Sequence, residues 1–220
     1  MTRLVLVRHG QSEWNAQRRI QGQSGTGLTD TGRRQAEAAA AWVAASHPGA
    51  HLVSSDLQRC RETAAPIAAA LGADLVTDEG VRERRFGRWE GQTVDDVMAA
   101  DADLWRRWTT GEDVVAEVGG ESGADLADRV VATLRALVDA PVADTIVVVT
   151  HGGPIWHGLH AMLELPFGAI GGAGNASATE VVFDEMGVWL ESWNQSAHLP
   201  PALRTTFRPS EARGLRVTRR

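Results

Sequence analysis

Arg3 to Val7 is a β-branched and leucine run that stops at Arg8-His9-Gly10, and the pattern returns at Thr145 to Val149, which stops at Thr150-His151-Gly152-Gly153. Such runs need cover on both faces and predict buried strands of a parallel sheet. Between them the periodicity changes. Thr29 and Asp30 can start a helix, and alanine-rich Arg33 to Ala45 continues it until Pro48-Gly49. His51 to Ser54 predicts a short strand, followed by a helix from about Asp56 to Leu71, with a kink or boundary at Pro66 and a stop at Gly72. Asp74 to Val76 predicts another strand. Helices are expected near Val94 to Trp108 and Ser122 to Val138, separated by the loop Gly111 to Glu121, and again over 154–164. After the glycine-rich loop Gly168 to Gly174 come two strands, Thr179 to Phe183 and Trp189 to Trp193, joined through Gly187.

Strands alternating with helices predict an α/β fold, a three-layer αβα sandwich around a mostly parallel central sheet. Ligands of such sheets bind beyond the carboxyl ends of the strands, which is where both His9 and His151 fall.

At 220 residues, with 43% apolar and 23% charged, the chain has the size and composition of one globular domain. We read 1–198 as that domain, with a small helical cap inserted at about 92–121, and 199–220 as an arginine-rich C-terminal tail. No stretch approaches the roughly 18 apolar residues of a membrane helix, and MTRLVLVRHG is too short and too charged for a signal peptide. A cytoplasmic protein without a membrane partner is expected. The net charge of −6 argues against a nucleic-acid partner, although the tail carries a net of about +5. Cys60, the single cysteine, excludes an internal disulfide and reads as helix packing despite Arg59 and Arg61 beside it. Trp42, Trp105 and Trp108 fall at core-like helical positions, whereas Trp14, Trp89 and Trp193 are candidates for stacking on a ligand. His157 and His160 lack a third ligand and do not make a metal site. Every basic side chain is an arginine, because the sequence contains no lysine, and it contains no tyrosine either.

A phosphoryl-transfer site that lacks a metal needs a nucleophile and side chains that neutralise a dianion, for which bidentate arginine is the best-shaped group. Arg8-His9 supplies both at a strand end. The run Arg8-His9-Gly10-Gln11-Ser12-Glu13-Trp14-Asn15 resembles the signature of the histidine phosphatase superfamily, the phosphoglycerate mutase-like fold. The resemblance continues in order through Leu28-Thr29, Ser54-Ser55-Asp56-Leu57-Gln58-Arg59, Arg82-Glu83 to Trp89-Glu90-Gly91, Gly119-Gly120-Glu121-Ser122 and Thr150-His151-Gly152-Gly153, covering about Met1 to Ser196.

That resemblance implies that His9 attacks phosphorus, that Arg8, Arg59 and His151 hold the phosphoryl oxygens, and that Glu83 protonates the leaving oxygen and later activates water. It also implies Asn15, Gln21 and the Gly152 N–H as further phosphate or substrate donors, no cofactor and no metal, a small phosphorylated metabolite as ligand, and compatibility with a homodimer. His9 must be neutral to attack, with a backbone carbonyl on its other ring nitrogen, and His151 is expected to donate from a protonated ring. Arg82, Arg84 and Arg85 are expected to point away from Glu83 or to bind charge on the substrate. Gly171 to Ser177, Trp193 to Ala197 and Gln21-Gly22-Gln23 resemble the actinobacterial glucosyl-3-phosphoglycerate phosphatases more narrowly. Gly25 and Gly27 depart from the family pattern of an acid and a proline, which implies a looser loop over the substrate.

Two other readings stand beside the phosphatase. A 2,3-bisphosphoglycerate-dependent phosphoglycerate mutase would clamp a carboxylate with a tyrosine and a lysine, and the chain has neither. A noncatalytic phosphate-binding module would be expected to lose some of Arg8, His9, Arg59, Glu83 and His151, and all five are present.

Overall fold

The computed structural model describes residues 1–139 and 141–205. Six strands, β1 (Thr2–Arg8), β2 (His51–Ser54), β3 (Leu75–Thr77), β4 (Thr145–Thr150), β5 (Ala178–Asp184) and β6 (Gly187–Gln195), form one sheet in the order β3-β2-β4-β1-β5-β6. β1, β2, β3 and β4 run parallel, and β5 pairs antiparallel with both β1 and β6.

Alternation along the central strands builds two cores. Leu4 and Leu6 with Ile146 and Val148 face one side, where they pack with Leu126, Val130, Leu134, Ile155 and Leu159 of α6 (Gly123–Asp139) and α7 (Gly152–Met162). Val5 and Val7 with Val147 and Val149 face the other, against Ala40 and Val43 of α2 (Asp30–Ser46) and Cys60, Ala64 and Ile67 of α3 (Gln58–Leu71). Each face therefore has its own helical layer, giving the three-layer sandwich. The remaining helices are α1 (Glu13–Ala16), α4 (Val94–Ala100) and α5 (Ala102–Thr109). Among the described residues no helix is long and apolar enough to cross a membrane.

Several expectations are corrected. α3 continues through Pro66 to Leu71 without a boundary, and Cys60, Ala64 and Ile67 pack its inner face on the second core. The helix expected over Val94 to Trp108 is two helices, broken at Asp101, whose carboxylate accepts from the Trp89 indole Nε1 at 2.6 Å and from Arg88 at 2.8 Å. Trp89 is no stacking platform: it is fully buried with Val97, Val114, Val115 and Val118, and Trp105 and Trp108 pack against that cluster. The start of the expected tail is anchored. Leu199 and Leu203 are buried, and the Leu203 carbonyl accepts from Gln35 Nε2 at 2.6 Å. The rest of the tail lies outside the described residues.

Candidate active site

β1 and β4 are neighbours in register, Arg8 opposite Thr150, so the residues that follow them leave the sheet side by side. The His9 and His151 rings consequently meet edge to face, with centroids 5.2 Å apart, and both are buried. Arg8 comes from the last position of β1, and Arg59 from the second residue of α3, which is reached from β2. Both guanidinium groups are buried as well.

His9 Nδ1 lies 2.7 Å from the Gly10 carbonyl. A carbonyl only accepts, so Nδ1 carries the hydrogen and Nε2 keeps its lone pair. Burial, followed by the charges of Arg59 and Arg8, holds the His9 pKa well below the ordinary imidazole value. The ring is neutral near pH 7. Arg8 Nη1 donates to the Ala173 carbonyl at 2.6 Å, and its pKa falls to about 10 through burial, which leaves it charged. Arg59 donates from Nη2 to the Gly22 carbonyl at 2.7 Å and from Nη1 to the Ser24 carbonyl at 3.0 Å, while its buried Nε has no hydrogen-bond partner. A buried cation held by neutral carbonyls is costly in the protein alone and is compensated by an anion beside it.

His151 follows the last residue of β4 and is fully buried. Burial first, then Arg59, His9 and Arg8, push its pKa well below the ordinary value, so in the protein alone the ring is neutral. Its Nε2 lies 2.9 Å from Ser55 Oγ and 3.3 Å from Cys60 Sγ. Burial pushes the Cys60 thiol up, so it stays protonated and serves as packing against the His151 ring.

Glu83 sits at the amino end of α7. Its Oε2 accepts from the Gly153 N–H at 3.2 Å and its Oε1 from the Arg84 N–H at 2.8 Å. A Cβ on residue 153 would lie 2.1 Å from Glu83 Oε1, which explains the glycine. The neighbouring arginines are drawn elsewhere: Arg82 pairs with Asp56 and Glu79, Arg84 with Asp113 and the Glu121 carbonyl, and Arg85 is exposed. Gly152 lies against the Arg8 guanidinium, where an added Cβ would be 3.6 Å from Nε. Asn15 Oδ1 accepts from the Ser12 N–H, and Gln21 Oε1 accepts from Ser12 Oγ at 2.8 Å, which orients both amides around the loop after β1.

Three participants were not singled out from sequence. Ser55 touches the His151 ring; Asn175 donates from Nδ2 to the His9 carbonyl at 3.2 Å and to Asn15 Oδ1 at 3.1 Å; Glu90 holds the loop over Arg59. The only signal for them was membership of matching segments, because their partners lie far away along the chain. The loop containing Gly25 and Gly27 is also not loose, since Glu90 and Glu62 both accept from its backbone.

Among the described residues no three histidine, cysteine or acidic side chains cluster to hold a metal ion. Two buried histidines at adjacent strand ends, with two buried arginines in the same site, form a cationic pocket suited to a phosphoryl group. The chain belongs to the histidine phosphatase superfamily, whose branch 1 model matches residues 4–196. It is 37% identical to the glucosyl-3-phosphoglycerate phosphatase of Mycolicibacterium vanbaalenii, covering 90% of this chain and 96% of that one. A mycobacterial glucosyl-3-phosphoglycerate phosphatase solved with vanadate superposes with a TM-score of 0.77 at 36% identity, over 89% of this chain and all of the other. A bifunctional protein of Mycobacterium tuberculosis is 38% identical over 77% of this chain, which spans only 46% of that relative's length.

Proposed function

We propose that the protein hydrolyses phosphate monoesters of a small metabolite through a phosphohistidine on His9, with no metal in the reaction. The observation that carries this reading is the neutral His9 ring, its Nδ1 tied to a carbonyl, set beside two buried arginines. Nε2 attacks phosphorus as the bond to the leaving oxygen breaks, and the carboxyl group of Glu83 gives that oxygen its proton. Glu83 then takes a proton from the water that attacks phosphorus, and the N–P bond breaks to release phosphate. Arg8, Arg59, His151 and the Gly152 N–H face the equatorial oxygens, where charge is greatest, and Asn15 and Gln21 supply amide donors.

The similarity to glucosyl-3-phosphoglycerate phosphatases supports that ester as the first substrate to try. Hydrolysis is favoured over mutase chemistry because the chain has no lysine and no tyrosine with which to clamp a second acidic group. The test is phosphate release near neutral pH with excess chelator, from glucosyl-3-phosphoglycerate, 3-phosphoglycerate, sugar phosphates, nucleotides and p-nitrophenyl phosphate. Release that survives the chelator is expected. Interconversion of 2- and 3-phosphoglycerate with no phosphate release would replace this reading by the mutase.

A further inference from the structure

Glu90 stands outside the reacting groups, yet its carboxylate gathers three backbone donors from two segments. Oε1 accepts from the Gln23 N–H at 3.3 Å and from the Phe86 N–H at 2.9 Å, and Oε2 accepts from the Ser24 N–H at 3.2 Å. The loop so held is the one whose Gly22 and Ser24 carbonyls grip the two terminal nitrogens of Arg59. With those nitrogens fixed, the guanidinium plane is fixed, and the buried, unpartnered Nε belongs to the edge left for an anion.

The glycines agree with this chain of contacts. Gly22, at φ +56°, lets the loop pass directly over Glu90, for a Cβ there would lie 2.0 Å from Oε1. Gly25, at φ +126°, lies against Arg59, where a Cβ would be 3.2 Å from Nη1. Gln23 Nε2 adds a bond to the Glu83 carbonyl at 3.1 Å, tying the same loop to the segment of the proton donor.

We infer that Glu90 is a positioning residue for phosphate binding: it fastens the Gly22–Ser24 strap, whose carbonyls aim Arg59 at the phosphoryl oxygens. This deepens the phosphatase reading and rests on it. A carboxylate serves here because one side chain must accept from three N–H groups. Its neutral isostere glutamine would turn an N–H₂ toward one of them.

The experiment compares wild type, Glu90→Gln and Glu90→Ala by steady-state hydrolysis of p-nitrophenyl phosphate and by inhibition with orthovanadate and inorganic phosphate, with thermal midpoints measured alongside. Glu90→Ala is expected to raise KM and the inhibition constant for vanadate together by about 10- to 30-fold, and Glu90→Gln by about 3- to 10-fold. Gly22→Ala should weaken vanadate binding comparably, and adding it to Glu90→Ala should change little more, since both break one link. Should Glu90→Ala not fold, Glu90→Gln decides. Vanadate inhibition unchanged in the folded variants, or a fall in kcat with KM and inhibition constants intact, overturns the inference and leaves the phosphatase reading standing. A wild type that neither releases phosphate nor binds vanadate overturns both.

Discussion

His9 and His151 leave equivalent points of two adjacent parallel strands, but their rings are held by different kinds of partner. His9 is fixed by its own main chain, through Nδ1 and the Gly10 carbonyl. His151 is fixed by side chains from elsewhere in the chain, through Ser55 Oγ, just after β2, and Cys60 Sγ, in the first turn of α3. A backbone carbonyl only accepts, so it dictates one tautomer and leaves Nε2 basic. A hydroxyl can donate or accept, so it tolerates either protonation state of the ring. The first environment suits a nucleophile that must remain neutral; the second suits a ring that gains positive character as phosphoryl charge develops.

The sharpest break of this comparison is to delete each ring in turn. His9→Ala should lower kcat by at least about ten-thousandfold and abolish any acid-labile phosphoenzyme seen by rapid quench, because the proposed nucleophile is removed. His151→Ala should cost about 100- to 1000-fold in kcat, the range for one donor to developing charge, while still forming phosphoenzyme. Equal losses in the two variants, with phosphoenzyme absent from both, would mean that the rings do not divide the work as their partners suggest.

The asymmetry was half legible in sequence. Two β-branched runs, each ending in a histidine, place both rings beyond strand ends, and parallel pairing of β1 with β4 brings them together. The main-chain partner of His9 could also be anticipated, since it needs only the adjacent residue. Ser55, Asn175 and Glu90 were not legible as partners, because each depends on a contact between segments whose separation in space no local pattern encodes. The resting state of His151 was not legible for the same reason, because the depth of its burial and the proximity of Arg59 follow only from packing. Trp89 shows the converse error. It stood as a candidate for stacking on a ligand, whereas the indole closes a separate apolar cluster with α4 and α5.

His157, on α7 outside the pair, separates the folding cost of a buried ring from its chemistry. Burial, followed by the charge of Arg84, lowers its pKa to about 4, with Asp113 and Glu121 opposing and His160 adding to the fall. The unfolded chain therefore takes up a proton near pH 6.5 that the folded chain refuses until about pH 4, so stability is complete above the first value and declines on acidification between the two. At pH 5 this ring should account for about 2 kcal/mol of lost stability. Urea unfolding at pH 7 and pH 5 should show the loss shrinking by about that amount in His157→Gln; an identical loss in both proteins would assign it to the other histidines whose pKa burial lowers, His9, His47, His151 and His198.

The smallest expected effect tests the comparison most directly, because it leaves both rings in place. Ser55→Ala removes the hydroxyl 2.9 Å from His151 Nε2 and leaves the His9 ring tied through Nδ1 to the Gly10 carbonyl. One neutral hydrogen bond is worth about 1 kcal/mol, so kcat should fall by about 3- to 10-fold. Phosphoenzyme should still form, and Ser55→Thr should restore the rate if its hydroxyl keeps the same place against the ring. Combined with His151→Ala, the serine change should add nothing, since its effect passes through that ring. A full additive loss in the double variant would mean that Ser55 acts on the phosphate itself, and the two histidines would then differ in their surroundings without differing in how they are controlled.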